Sequence, residues 1–280
     1  MRYMSHVEIR DTWFRFFQEK GHKKVESAPL IPINDDSLLW INAGVTPLKK
    51  YFDGREVPEC RRLVNIQKCI RTNDIENVGI TKRHQTFFEM MGNFSVGDYF
   101  KSEAIEFAFE LLTSEKWFAI PKELLYVTVY PEDTEAYQKW VEVGFIEDHI
   151  IKLDENFWEI GEGPCGPDSE IFFDRGEKYD LNHDALSKFK NDEEQERYVE
   201  IWNNVFSQFN AKEGVPRASY KELPSKNIDT GAGLERWCCV FQNVDSNFET
   251  DLFQPIIKHI EQLVGFSYEG QKEFKIIADH

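Results

Sequence analysis

The sequence predicts a mixed fold of helices and strands, built as one large domain or two small ones, with at least one antiparallel strand pair. Three observations predict it. The chain has 280 residues, 41% of them hydrophobic and 14% aromatic, which is enough to bury a sizeable core without staples. Its apolar spacing switches repeatedly between the helical period of 3.6 and the strand period of two, with no internal repeat and no long Pro/Gly/Ser linker. Residues 61–71 are followed, after a loop, by residues 85–91, which read as a returning antiparallel strand.

The elements follow in order. Ser5 and Glu8 have the spacing of a capping box, and Ile9, Trp13, Phe16 and Phe17 share one face, so a first helix runs to about Gly21 and His22. Residues 38–41 read as a short buried strand that ends at the turn Asn42-Ala43-Gly44. Over residues 61–71 the period becomes two: Leu63, Asn65, Gln67, Cys69 and Arg71 share one face, and Val64, Ile66, Lys68 and Ile70 the other. Polar groups on a core strand cost free energy unless paired, and a ligand is one way to pair them. Residues 72–82 form a long loop, and Gly92-Asn93-Phe94-Ser95 is expected to turn the chain into a helix over 102–112 with Ile105, Phe109 and Leu112 buried.

A strand over 125–130 and a helix from Thr134 to about Val143 come next, while residues 150–153 are too short to assign. Residues 161–168 read as a turn-rich loop leading into a strand at 169–174. The stretch 177–197 is highly charged and poor in apolar residues, which reads as an exposed, mobile insertion. Residues 198–210 give the longest strand signal, with Val199, Ile201, Asn203, Val205, Ser207 and Phe209 on one side. Asn203 beside Val205 is either a satisfied core asparagine or part of a small pocket with one hydrogen-bonding group and one apolar wall. A last amphipathic helix spans 250–264.

Charge and cysteine usage exclude several classes. The net charge of -17 argues against non-specific binding of nucleic acid, which needs many cations against phosphates. The basic residues Arg61, Arg62, Lys68, Arg71, Lys82, Arg83 and His84 do cluster in one segment, as a local anion patch or as solvated strand-edge charges. The five cysteines have no C-x-x-C spacing and no nearby His pair, so no zinc site and no disulfide framework is expected, and a reducing cytoplasm fits. No run has the apolar length of a membrane span.

The stretch Asn227-Ile228-Asp229-Thr230-Gly231-Ala232-Gly233-Leu234-Glu235-Arg236 carries the most chemistry. It reads as one loop and the first turn of a helix, with two glycines able to approach a ligand or take positive φ, flanked by a carboxylate and an arginine. A plain strand-to-helix turn has the same glycines.

Arg71 at a strand end, the return through Arg83-His84-Gln85-Thr86-Phe87-Phe88-Glu89-Met90, and Gly231-Ala232-Gly233-Leu234-Glu235-Arg236 resemble motifs 2 and 3 of class II aminoacyl-tRNA synthetases. Glu8-Ile9-Arg10, Asn42-Ala43-Gly44, Asn77-Val78-Gly79, Gly92 to Phe100, Gly163-Pro164-Cys165-Gly166-Pro167 and Asp229-Thr230-Gly231 further resemble the alanyl-tRNA synthetase family, and the likeness covers nearly the whole chain. The resemblance implies an α+β fold, an antiparallel sheet of about six strands flanked by helices. The implied activity is ATP-dependent activation of L-alanine to alanyl-adenylate with release of pyrophosphate, for attachment to tRNA(Ala). Mg²⁺ accompanies ATP, with ligands the sequence does not assign.

Carried over by residue, the resemblance gives Arg71 the α-phosphate and the alanine carboxylate, and gives Arg236 the adenine and the γ-phosphate. Arg83, Gly233 and the acidic loop residue Asp74 join the ATP set, with Phe87 or Phe88 as the aromatic opposing Arg236; period two does not choose between them. Asp229 would take the alanine ammonium, Asn203 would hydrogen-bond the substrate, and Val205 with Trp158 would wall the methyl pocket beside Gly231. Val45 stands where a methionine is expected, placing one wall in doubt unless Met90 or Met91 compensates. Asp168 stands where a second cysteine often follows. The family normally continues into tRNA-recognition, editing and oligomerising regions, so residues 1–280 are expected to be an isolated, monomeric catalytic domain that charges tRNA weakly or not at all alone. A non-catalytic binding module is disfavoured by the joint presence of Arg71, Asp74, Asn203, Asp229 and Arg236. Transfer to a non-tRNA acceptor would use the same residues.

Overall fold

The computed structural model describes residues 1–33, 38–73, 75–159 and 161–280. Helix α1 (His6–Glu19) starts as its sequence dictates: the Ser5 hydroxyl accepts from the Glu8 amide and the Glu8 carboxylate takes the Ser5 amide, closing the capping box. Strand β1 (Lys23–Lys24) is followed by a 3-10 turn at Thr46–Leu48 and the short α2 (Lys49–Phe52). Then come β2 (Arg62–Ile70), β3 (Phe87–Val96), α3 (Lys101–Thr113), β4 (Leu125–Val129), α4 (Thr134–Glu142), β5 (Ile150–Lys152), β6 (Phe157–Trp158) and β7 (Gly163–Asp174). The last third holds α5 (Ala185–Lys190), β8 (Tyr198–Ala211), β9 (Lys221–Gly233), α6 (Leu234–Gln242), α7 (Gln254–Val264) and α8 (Lys272–Asp279).

The strands form one sheet of nine, in the order β1-β2-β3-β9-β8-β7-β4-β5, with β6 paired to β7. The expected count of about six covers β2, β3, β4, β7, β8 and β9. The other three are only two or three residues long, too short for alternation to show. Pairing is antiparallel except β1 with β2 and β4 with β5. One sheet face is covered by α1, α3, α4 and α6, whose Trp13, Phe16, Leu111, Trp140 and Trp237 pack with Ile66, Trp202, Phe206 and Ile228 into the main core. Trp13 lies edge-on to Trp202 at 4.9 Å and to Trp237 at 5.9 Å. No helix among the described residues is long and apolar enough to cross a membrane.

Several expectations need correction. Residues 38–41 form no strand: Leu39 is 77% exposed, and only Ile41 is buried, joined to Leu30 and Ile70 by single backbone bonds. Gly92 to Ser95 do not turn the chain but continue β3, and residues 163–168 are already β7. Gly92 and Gly166 serve close approach, not turning, whereas Gly163 takes a φ of +123° with nothing near its Cβ position. At Gly166 a Cβ would lie 2.0 Å from the Phe206 carbonyl oxygen, so only glycine lets β7 and β8 close at that point. Residues 227–233 likewise are the end of β9 and not a loop. Helix α7 starts at Gln254, later than expected, and α8 was not foreseen. The Asp279 carboxylate of α8 takes the Thr86 amide at 2.7 Å and the Thr86 hydroxyl at 2.6 Å, pinning the approach to β3.

The charged stretch 177–197 is tied to the sheet. Ala185 and Phe189 of α5 are buried with Ile151, Leu153 and Tyr198, and Arg197 binds Asp174 at 2.7 and 2.8 Å.

Candidate active site

The register of β7, β8, β9 and β3 builds the site on the sheet face away from the main helices. Directly opposed residues in antiparallel ladders point to the same face. Asp168, Val205 and Asp229 form one such row across three strands, and Glu170, Asn203 and Gly231 form the next. Gly233 of β9 then pairs with Met90 of β3, which pairs with Gln67 of β2, and Phe88 pairs with Cys69. The intervening residues Ile228, Thr230, Trp202, Asn204 and Phe206 are buried beneath.

Beside these rows lies a cleft of about 630 Å³ lined by Arg71, Arg83, Phe88, Met90, Gly231, Gly233, Glu235 and Arg236, among others. Phe88 faces it with the Arg71 guanidinium 5.1 Å from its ring centre. Phe87 is not among the lining residues, so of the two aromatics the cleft presents Phe88. The Arg71 Nε donates to the Asn42 carbonyl at 3.0 Å, which fixes the side chain against the loop before the 3-10 turn. Arg236 Nη1 donates to the Glu200 carboxylate at 2.7 Å and to the Glu200 carbonyl at 3.1 Å. Arg83 is only 3.8 Å from the Glu194 carboxylate. Burial, and the positive charge of Arg236, press its ionisation constant down.

Gly231 and Gly233 are absent from the residues with positive φ. What requires glycine at 231 is space: a Cβ there would sit 2.9 Å from the Met90 sulfur. That sulfur also meets the Gly44 amide at 3.3 Å. Met90 thus floors the cleft between the Asn42-Ala43-Gly44 segment and β9. Val45 packs with Leu48, Leu63 and Phe94, so Met90, not residue 45, presents the thioether surface at this point. Met91 lies in the core on the other face. Trp158 is half-buried on β6, opposite Gly166 and next along from the Pro167 pair. The polar face of β2 is paired by protein in part: Asn65 donates to the Gly44 carbonyl at 3.0 Å while its Oδ1 has no partner, and Gln67 binds Ala28 through both its groups. Asp74 lies outside the described residues.

The two rows are rich in unneutralised acceptors. Burial pushes the Asp229 carboxyl up to about 7, and among the described residues no cation stands beside it. Asp168 is 4% exposed; burial raises it to about 7 against the opposing hydrogen bonds of Asn203 and Asn156. Glu170 is raised by burial and by the charges of Glu200 and Asp168. Asn203 Nδ2 donates to Glu170 Oε1 at 3.3 Å, while Asn203 Oδ1 and Asp168 Oδ1 are shielded and lack a partner. Below the cleft, the Glu235 carboxyl takes the Glu89 amide at 2.9 Å, and Glu89 is gripped by both Nη atoms of Arg10. Burial lifts Glu235 to about 8, and its Oε2 has no partner. Buried acceptors without donors are expensive, so this face is built to receive a hydrogen-bond donor with positive charge.

The residues sequence reasoning passed over are Asp168 as a site group, Glu170, Glu200 and Glu235. Glu170 shares a period-two face with Phe172 and Asp174, so nothing along residues 169–174 marks it. Glu200 was hidden too. A register shift between Ile171 and Phe172 pairs Phe172 with Glu200 and Ile171 with Trp202. Such a bulge re-aims a side chain, and both Glu200 and Arg236 consequently line the cleft.

An antiparallel sheet backed by helices, with one arginine at the end of an edge-side strand and another on the helix entered from the last strand, is the architecture of a class II aminoacyl-tRNA synthetase. Residues 8–280 match the family model described as tRNA synthetases class II (A), and the chain belongs to that family. It is 61% identical over 277 residues to the Alanine--tRNA ligase of Acholeplasma laidlawii, which spans 99% of this chain and 32% of that protein. It is 58% identical over 283 residues to the Alanine--tRNA ligase of Lactococcus lactis subsp. cremoris, across 100% of this chain and 32% of that protein. The chain therefore spans about a third of the length of these relatives. Among solved structures, a pyrrolysyl-tRNA synthetase of Desulfitobacterium hafniense aligns over 89% of this chain and 73% of its own, with 11% identity and a TM-score of 0.48.

Proposed function

We propose that this chain activates L-alanine with ATP, giving alanyl-adenylate and pyrophosphate, for attachment of alanine to tRNA(Ala). One observation carries the reading: acceptors that lack a cation, Asp229 and Asn203 Oδ1, lie on the same sheet face as the arginine-lined cleft and next to its Gly231 wall. An amino acid bound there has its ammonium on Asp229 and Asn203, its methyl against Val205, and its carboxylate directed to Arg71. ATP lies along Phe88, Gly233 and Arg236, with Arg83 beside the triphosphate. The alanine carboxylate, ionised at neutral pH, attacks the α-phosphorus; the new acyl–phosphate bond forms as the bond to pyrophosphate breaks, and no general base is needed. Arg71 neutralises charge gathered on the α-phosphate in that step, a task suited to a planar, permanently charged fork. Among the described residues no group of three His, Cys, Asp or Glu side chains is arranged to hold a metal, so Mg²⁺ is assigned here only as the companion of ATP. Five free thiols support a cytoplasmic setting.

The test is amino-acid-dependent pyrophosphate exchange across all twenty amino acids, with Arg71→Ala and Asp229→Ala as controls and tRNA(Ala) charging measured beside it. Exchange with alanine that both substitutions abolish is expected. Exchange with another amino acid in place of alanine overturns the reading.

A further inference from the structure

We propose that Glu170 is a positioning residue that locks the Asn203 side-chain amide so that its oxygen, and not its nitrogen, faces the bound amino acid. The proposal deepens the function proposed above and rests on its placing of Asn203 against the ligand.

A side-chain amide is nearly symmetric in shape, and only its hydrogen-bond partners decide which end points where. Here the partners lie on one side. Asn203 pairs across the ladder with Glu170 on β7 and with Gly231 on β9; the glycine has no side chain to offer, so the lateral partner must come from β7. Glu170 Oε1 accepts from Nδ2 at 3.3 Å. With its nitrogen directed at the Glu170 carboxyl, the amide leaves Oδ1 shielded from solvent and without a partner. The reverse orientation would set that oxygen against Glu170 Oε1 and leave the N–H groups unpaired instead.

The consequence is selective. With Asn203 locked, this end of the site presents acceptors only: Asn203 Oδ1, Asp168 Oδ1 and the Asp229 carboxyl. An ammonium satisfies them, whereas a carboxylate in its place meets none of the donors it needs. A free amide could rotate to welcome either end of an amino acid. Glu170 therefore fixes the direction in which alanine enters, without touching it.

The experiment is pyrophosphate exchange with separate KM values for alanine and ATP, on Glu170→Met, Glu170→Gln, Asn203→Ala and the double substitution Glu170→Met/Asn203→Ala. Glu170→Met removes the acceptor at similar length, and the KM for alanine should rise about tenfold or more while that for ATP stays within about twofold. Glu170→Gln keeps an acceptor oxygen for Nδ2 and should hold the alanine KM within about threefold of wild type. In the Asn203→Ala background Glu170→Met should have no further effect, because the residue acts through the amide. Equal damage from Gln and Met overturns the proposal, since the charge itself would then be required. So does a rise in both KM values together, or a Glu170→Met effect that persists without Asn203. Should Glu170→Met fail to fold, Glu170→Gln alone decides between acceptor and charge. A silent Asn203→Ala would sink the placement of Asn203 in the functional reading. A damaging Asn203→Ala with a silent Glu170→Met would sink only the present inference.

Discussion

Asp229→Asn should make the ligand-free protein more stable while abolishing alanine activation. Without ligand, burial raises the Asp229 carboxyl from 3.8 to about 7, a shift of roughly three units, and each unit is worth about 1.36 kcal/mol. The ionised carboxylate in the empty site thus costs at most about 4 kcal/mol of folding stability. The sign follows from linkage. Between pH 3.8 and 7 the folded chain binds the proton more tightly than the unfolded chain, so this contribution is complete below pH 3.8 and is lost as pH rises to 7. Asparagine carries no such dependence. The stability gap between Asp229→Asn and wild type should be near zero at pH 4, grow through pH 6, and level off by pH 8. Urea denaturation at fixed pH values measures it directly.

Alanine reverses the picture. Its ammonium favours the ionised carboxylate, so affinity should rise with pH, and the same constant gives about a tenfold fall in alanine KM between pH 6 and pH 8. Wild type should gain stability from saturating alanine and Asp229→Asn should not. A variant no more stable than wild type at pH 8, or a gap that does not change with pH, refutes the claim that Asp229 is held at an energetic cost for a cation.

Three other outcomes follow from named contacts. Arg10→Met should destabilise the fold by about 3–5 kcal/mol, since it leaves Glu89, and Glu235 beyond it, buried without a cation; chemical denaturation reads this, and a loss under 1 kcal/mol refutes it. Thr230→Val should cost about 1–3 kcal/mol with Thr230→Ser near wild type. The Thr230 hydroxyl donates to Asn93 Oδ1 at 2.6 Å within a buried chain that runs through Tyr99 to His22, and an equal loss in both variants would refute the role of that hydroxyl. Gly231→Ala should raise the alanine KM at least tenfold at nearly unchanged Tm, because the added methyl, 2.9 Å from the Met90 sulfur, is met by a flexible side chain that yields into the site; an unchanged KM contradicts it.

What the sequence disclosed depended on whether a feature repeats along one strand or arises between strands. The α1 capping box and aromatic stripe were legible because period and cap lie within a few residues. So were β2, β4 and β8, where alternation extends over five residues or more. The glycines misled, since turn and close approach share a residue type: Gly92, Gly166 and Gly231 sit inside strands. Asp229, Asn203 and Arg236 were visible through the family resemblance. Their neighbour Glu200 was hidden by a bulge, Asp168 was marked only as standing in place of a cysteine, and Glu170 drew no attention because nothing in β7 alone shows what stands opposite.

The same distinction explains why the site tolerates so many unpaired acceptors. Its rows are generated by cross-strand register, and a slip of one residue would send Asp229 and Asn203 into the core and bring Ile228 and Trp202 to the cleft. Register must therefore be enforced from the other face. It is: Thr230 and Asn93 bond each other doubly, at 2.6 and 3.0 Å, just where the β3–β9 ladder between Ala232 and Ile228 has no paired residues. Trp202 and Trp237 lock the strands onto α1 through Trp13. The stability lost to the charged face is offset by a core that holds the sheet in this alignment.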